Sequence, residues 1–137
     1  MAEMDNALIK IVLLLTMLYF HIMDDYRHQG ILASMKQKSW WQQNAPDGMY
    51  RNDYIVALLE HAFSWTFAIH IPAILYKAAV GWNIGIGLFL FVFIFMWTMH
   101  AFVDHMKANL HMLNLAQDQL VHLSQVVFVW GYYCFTR

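Results

Sequence analysis

The stretch GIGLFLFVFIFMWTMHAFVD, residues 85–104, joins an uncharged apolar block to a histidine and an aspartate that lie four residues apart. From Gly85 to Met99 no side chain carries a charge. A helix needs roughly 20 predominantly apolar residues to cross the hydrocarbon core of a bilayer. The stretch therefore predicts a membrane-spanning helix that ends in two polar residues, His100 and Asp104.

The composition of the whole chain is typical of an integral membrane protein. Of its 137 residues, 61% are hydrophobic and only 12% are charged, whereas a soluble domain carries about 25% charged residues. The formal net charge of -1 provides no basic excess, which argues against nucleic acid as a partner. The single cysteine, Cys134, cannot form an internal disulfide.

Four stretches are long and apolar enough to be spanning helices, and they lie at about 7–24, 54–76, 83–103 and 113–133. The segment between the first two, about 26–51, mixes apolar residues with Lys36, Lys38, Trp40 and Trp41 and predicts an amphipathic segment at the lipid headgroups. The other connections are short, so neighbouring helices should be antiparallel. The predicted fold is all-α, with residues 1–137 forming a single membrane domain, an integral membrane four-helix bundle with this interfacial segment between helices 1 and 2.

The distribution of basic residues predicts the orientation. The side of the first and third connections carries Arg27, Lys36, Lys38, Arg51 and Lys107, and the other side carries Lys10, Lys77 and Arg137. Because basic residues accumulate on the cytoplasmic side, the first and third connections are predicted to be cytoplasmic and both termini to be outside.

Antiparallel helices bring the polar residues of the predicted spans to the same side of the membrane. Residues four apart in a helix share one face, and polar side chains avoid lipid because exposing a charge to it costs about 2.5–3.5 kcal/mol. The residues expected to converge inside the bundle are His21, Asp25, His61, His100, Asp104, Asp118 and His122.

Four imidazoles and three carboxylates without a thiolate suit one or two divalent metal ions, with zinc, manganese or iron as the candidates. His61 is expected to be either a further ligand or a general base. Three alternatives remain open at this point: polar clamps that hold the helices in register, haem between facing histidines, and a proton or ion path.

The motifs that carry these residues resemble the family called domain of unknown function 3307, which comprises small polytopic membrane proteins of bacteria and their phages. HIMDDYRHQ matches the pattern His-x-x-x-Asp-aromatic-x-x-Gln, with Tyr26 in place of the usual phenylalanine and a lysine following at Lys36 or Lys38. LLEHAF supplies the single histidine of the second helix. HAFVDHMK matches His-x-x-x-Asp-x-x-Lys, and DQLVH matches Asp-Gln-x-x-His. This resemblance selects Asp25 over the adjacent Asp24.

The resemblance implies a bacterial inner-membrane protein with this set of polar residues, and it brings no established reaction. A more distant similarity, to inner-membrane proteins labelled as metal-dependent hydrolases, suggests hydrolysis of a lipid, a lipid-linked or another phosphate-bearing substrate. In that hypothesis Lys107 attracts the anionic group, while Gln29 and Gln119 orient the metal ligands. The non-enzymatic alternative is a structural or interaction protein that assembles into oligomers through its aromatic surfaces.

Overall fold

A computed structural model describes residues 2–136 of the chain, with the side chains of residues 2–5 excepted. Within that range every regular element is helical and no strand is present. The α-helices are α1 (Ala2–Ile22), α2 (Leu32–Met35), α3 (Lys38–Asn44), α4 (Asp53–Val80), α5 (Ile86–Ala108) and α6 (Leu115–Phe135). Arg137, which the orientation argument used, lies outside the described residues.

The long helices begin and end at other residues than the apolar pattern predicts. α5 begins at Ile86 instead of residue 83, since Asn83 accepts a hydrogen bond from Lys77 and the Ile84 carbonyl accepts one from Trp82. α6 begins at Leu115 instead of residue 113. α4 and α5 also extend beyond the predicted ends, to Val80 and Ala108, because a helix continues past its apolar block until a cap or a glycine ends it.

The start of α6 is fixed by a capping box that precedes the apolar run. The Asn114 side chain accepts a hydrogen bond from the Gln117 backbone N–H at 2.9 Å, and the Gln117 side chain accepts one from the Asn114 N–H at 3.0 Å. Two N–H groups at the helix start are thereby satisfied. This start fixes the register of Asp118 about one turn later and of His122 about two turns later.

α1 changes into a π-helix over Met23–His28. The wider π turn rotates the side chains that follow it, and such turns are frequent at functional sites. Asp24 and Asp25 are both buried in this turn. Gly30 follows with a φ of 53°, a backbone conformation that glycine adopts at no steric cost.

The segment between α1 and α4 packs over one end of the long helices. It contains α2, α3 and a 3-10 turn, Gly48–Tyr50, so the predicted amphipathic segment is broken into short helices. Asn109, at the end of α5, accepts a hydrogen bond from the Lys38 backbone N–H and donates one to the Lys36 carbonyl. These two bonds hold the segment against the end of α5.

α4 contacts α1, α5 and α6, and α6 also contacts α1 and α5. The core between them is apolar and includes Trp65, Ile69, Met96 and Val126, none of them more than 3% exposed. Three stretches are long and apolar enough to cross a membrane, namely Asn6–His28, Gly48–Val80 and Ile86–Ala108. α6, the fourth predicted span, is not among them within the described range, because Gln117, Asp118, Gln119, His122 and Gln125 make it more polar.

Candidate metal centre

The seven residues selected from the sequence are all buried at one end of the long helices. α1 and its π turn carry two of them, α4 one, α5 two and α6 two. None is more than 7% exposed: His21, Asp25, His61, His100, Asp104, Asp118 and His122. Charged and imidazole groups buried this fully need partners, and the partners are largely one another.

His61 lies in the middle of the cluster. Its Nε2 is 3.3 Å from His100 Nε2, 3.4 Å from Asp25 Oδ1 and 3.5 Å from Asp104 Oδ2. These distances are long for hydrogen bonds, which peak near 2.9–3.0 Å for N–H···O. His61 Nε2 therefore has three polar atoms at similar, rather long distances around it.

His122 lies close to two carboxylates, those of Asp104 and Asp118. His122 Nε2 is 3.2 Å from Asp104 Oδ1 and 3.2 Å from Asp118 Oδ1. Asp104 consequently uses one oxygen toward His61 and the other toward His122. The His100 ring stacks on Trp65 at a centroid distance of 4.0 Å and also contacts the His122 ring at 4.1 Å.

Two groups of three side chains are close enough together to hold a metal ion. In each group the potential ligand atoms lie within 4.8 Å of one another. The first group is Asp25, His61 and His100, and the second is His100, Asp104 and His122. The donors are nitrogen and carboxylate oxygen only, which fits the predicted choice of zinc, manganese or iron.

His21 lies beside these groups with both ring nitrogens engaged. Trp65 Nε1 donates a hydrogen bond to His21 Nδ1 at 2.9 Å, which leaves the proton on Nε2. His21 Nε2 then donates to Gln119 Oε1 at 3.1 Å. A neutral imidazole in this state has no free lone pair for a metal ion, so the geometry favours an orienting role for His21.

Gln119 also contacts two carboxylates of the cluster. Its Nε2 donates to Asp25 Oδ2 at 2.7 Å and lies 3.2 Å from Asp118 Oδ2. Gln29 donates to Asp25 Oδ1 at 3.1 Å and also to the Asp25 carbonyl. The contacts agree with the positions that the sequence suggested for both glutamines, next to the carboxylates and outside the groups of possible ligands.

Two lysines pair with carboxylates of the cluster. Lys36 Nζ is 2.6 Å from Asp104 Oδ2, and Lys107 Nζ is 2.6 Å from Asp118 Oδ2. The Lys36 side chain is 12% exposed and that of Lys107 34%. Lys36, which the sequence left undecided against Lys38, is thus the lysine that reaches the cluster.

Asp24, the alternative to Asp25, points elsewhere. Its Oδ1 accepts a hydrogen bond from Ser64 Oγ at 2.8 Å, and it belongs to neither group of possible ligands. Two other histidines also belong to neither group. His70 is buried and hydrogen-bonded to the Thr66 carbonyl, and His105 stacks on Tyr54.

Sequence reasoning missed the contributions of Trp65 and Gln125. Gln125 Oε1 lies 3.1 Å from His122 Nδ1 and can accept the proton of that nitrogen. Both residues lie at helical spacing from a selected histidine, Trp65 four residues after His61 and Gln125 three after His122. That spacing was the available signal, and it is weak because core residues share it.

Comparison of the chain with protein-family models, curated proteins and solved structures found no match.

Proposed function

We propose that this chain is an integral membrane protein that binds one or two divalent metal ions at the buried cluster and hydrolyses a lipid-linked or phosphate-bearing substrate. The three apolar helical stretches support membrane insertion. The polar residues Asp118 and His122 in the first half of α6 are buried at the cluster, which supports a four-helix bundle in which α6 turns its polar face away from lipid.

The observation that carries the metal proposal is the set of distances around His61 Nε2. Two ligands of one zinc ion, each at about 2.0–2.1 Å, are about 3.3 Å apart in a tetrahedral site. The three distances from His61 Nε2, 3.3, 3.4 and 3.5 Å, are close to that spacing. They support a ligand role for His61 over that of a general base.

Asp104 supports a second ion in the same centre. Its two oxygens face different histidines, His61 and His122, as a carboxylate does when it bridges two metal ions. Hydrolytic centres with two ions hold them about 3.5–4 Å apart. Asp118, whose Oδ1 is buried and makes no hydrogen bond to the described residues, completes the donors around His122.

A metal ion at this position would activate a bound water for attack by lowering its pKa toward about 7. The protein groups then have the task of placing the substrate. Lys107 is the more exposed of the two lysines at the centre, and an ammonium suits a phosphate as a point charge. The end of the bundle near the headgroups is where a lipid-linked phosphate would lie.

The rival function is a structural clamp in which lysines, histidines and carboxylates only hold the helices together. The two lysine pairs favour it, because they already neutralise Asp104 and Asp118. The clamp and the metal centre differ in whether purified protein contains stoichiometric metal.

Elemental analysis of protein purified without added chelator tests the proposal. We expect one or two equivalents of zinc, manganese or iron in the wild type, and a loss of at least one equivalent in His100→Ala. The control is His105→Ala, which removes a histidine from the same helix outside both groups. Wild-type protein without metal, and unable to take up added zinc or manganese, would end the proposal in favour of the clamp.

A second assay addresses hydrolysis. The metal-loaded protein in vesicles that contain a lipid pyrophosphate should release inorganic phosphate, and a chelator should abolish the release. Stoichiometric metal without release from this substrate or from a phosphomonoester lipid would retain the metal site and remove the hydrolase from the proposal.

A further inference from the structure

A second set of buried polar atoms lies between the metal centre and the opposite end of the helices. These atoms have no hydrogen-bond partner within the part of the chain that the structure describes, and they lie among the apolar residues between the helices. They are Gln125 Nε2, Thr66 Oγ1, His70 Nε2 and the hydroxyls of Tyr133 and Tyr132. Leaving such a group unpaired costs about 1–3 kcal/mol, so several together call for an explanation.

The atoms are spaced along the helix axes. α4 and α6 both run away from the centre, since His61 and His122 lie near their starts. At a rise of 1.5 Å per residue, Gln125 lies about 4.5 Å beyond His122 and Thr66 about 7.5 Å beyond His61. His70 follows at about 13.5 Å and Tyr133 at about 16.5 Å. Along α4 the step from Thr66 to His70 is about 6 Å, which one or two water molecules can bridge.

One contact within this set joins α4 to α6. The rings of His70 and Tyr133 meet edge to face with centroids 5.8 Å apart, and Tyr132 lies against Tyr133 at 5.1 Å. Gln125 adjoins His122 at the other end of the series. These residues form a polar column along α4 and α6 that is joined across the two helices at His70 and Tyr133.

The column ends at a buried lysine. Lys77 is 5% exposed and donates hydrogen bonds to Asn83 Oδ1 and to the Thr136 carbonyl, each at 2.9 Å. It lies about 24 Å beyond His61 along α4. That length approaches the roughly 30 Å of a bilayer's hydrocarbon core.

His70 has the protonation pattern that a proton carrier needs. Its Nδ1 lies 2.7 Å from the Thr66 carbonyl, which can only accept, so the proton of the neutral ring is on Nδ1. Its Nε2 then presents a lone pair to the interior. A proton that arrives on Nε2 from one water can leave from the same atom to the next, so the ring ends unchanged.

We propose that His70 and Tyr133, together with internal water held by Gln125 and Thr66, form a proton path between the metal centre and the opposite face of the membrane. Buried waters in proteins typically make about three hydrogen bonds to such otherwise unsatisfied groups. Polar and ionisable residues inside membrane helices mark proton relays in pumps and transporters.

Proton flux into liposomes tests the path with the full-length protein. Liposomes that contain a pH-sensitive dye receive an acid pulse, with potassium and valinomycin clamping the membrane potential. We expect the wild type to raise the initial flux at least tenfold over protein-free liposomes. His70→Phe and His70→Gln should each lower that flux at least fivefold, since phenylalanine fills the column and glutamine cannot carry a proton.

The matched control is His105→Phe, a histidine outside the column, which should leave the flux at the wild-type level. Metal content is measured on the same samples and should be unchanged in the His70 variants. Wild-type flux equal to that of protein-free liposomes, or His70 variants that conduct like the wild type, would overturn the path. Neither result bears on the metal centre. Wild-type protein that conducts protons but contains no metal would overturn the proposed function and not the path.

Discussion

His61 shows how a single residue can be selected from sequence without its role being visible there. The sequence marked it as a lone histidine in the second helix and left ligand and general base open. Its Nε2 turned out to face three other donor atoms at 3.3–3.5 Å. These atoms belong to the π turn after α1 and to α5, and no local pattern in LLEHAF contains that information.

His21 illustrates the limit of helical spacing. The spacing of four between His21 and Asp25 correctly placed both side chains at the cluster, but it could not show that Trp65 and Gln119 occupy the two ring nitrogens. Trp65 is on α4 and Gln119 on α6, so the hydrogen bonds that define the role of His21 are all long-range.

Gln119→Ala tests whether this hydrogen-bonded chain supports the metal centre. The change removes the donor to Asp25 and the acceptor of His21, and we expect the metal dissociation constant to rise about 10–100-fold, as is typical when a residue that orients a ligand is lost. Gln43→Ala, at an exposed position, is the control and should leave the constant unchanged. Equal metal binding in both variants would mean that Asp25 is held by other contacts.

Lys36→Met separates the metal centre from the clamp. The lysine and a metal ion compete for Asp104 Oδ2, so in the metal proposal its removal should raise zinc affinity severalfold. Without metal the same change leaves a buried carboxylate with one partner fewer, and we expect about 1–3 kcal/mol of lost stability.

Zinc titration and thermal unfolding of the metal-free and zinc-loaded protein measure both effects. Lys38→Met is the control, because Lys38 is exposed and its hydrogen bond to Asn109 is made by the backbone N–H, which the change retains. Destabilisation that zinc does not reverse would favour the clamp.

At the scale of elements, helix existence could be predicted and helix ends could not. The apolar blocks predicted four long helices, and α1, α4, α5 and α6 cover them. The π turn after α1 has no signature in HIMDDYRHQ. Its two aspartates accept hydrogen bonds from Ser64 of α4 and Gln119 of α6, and these long-range contacts cannot be read from the local sequence. The capping box at Asn114 and Gln117 was visible in principle, and it lay two residues inside the predicted span.

Gly30→Ala tests the turn that brings α2 back over the centre. Gly30 has a φ of 53°, and a Cβ there would meet nothing within 4 Å, so the cost is conformational only. We expect a loss of about 1 kcal/mol in the free energy of unfolding, as for a residue other than glycine forced into the left-handed region. Thermal or denaturant unfolding in detergent micelles measures it.

Gly87→Ala is the matched control for that prediction. Gly87 lies inside α5 and also has open space around its Cβ position. Alanine is about 1 kcal/mol more favourable than glycine within a helix, so this variant should be neutral or more stable. If both variants were equally stable, the positive φ at Gly30 would not be a constraint on the fold.

For the whole molecule, antiparallel threading of the predicted helices was enough to place seven distant residues at one end. Which of these side chains contact each other could not be predicted, and neither could the ion pair between Lys36 and Asp104. Lys36 and Lys107 are bound to carboxylates, so only Arg27, Lys38 and Arg51 remain as exposed cations on that side. Together with Lys10 and Lys77 on the other side, they still favour a cytoplasmic position for the centre.

Cysteine labelling tests both the number of spans and this orientation. In a Cys134→Ser background, Gln42→Cys and His111→Cys should react with a membrane-impermeant maleimide only from the cytoplasmic face, and Gly85→Cys only from the opposite face. All three positions are exposed and lie in or beside the connections between long helices.

Cys134 itself decides the status of α6, the helix whose composition least resembles a membrane span. Cys134 lies near the end of α6, twelve residues beyond His122, which is about 18 Å along the helix axis. If α6 crosses the bilayer with its polar face turned to the centre, wild-type Cys134 must react from the same face as Gly85→Cys. Reaction from the face of His111→Cys would mean that α6 does not cross, and its buried aspartate and histidine would then reach the cluster from the membrane surface.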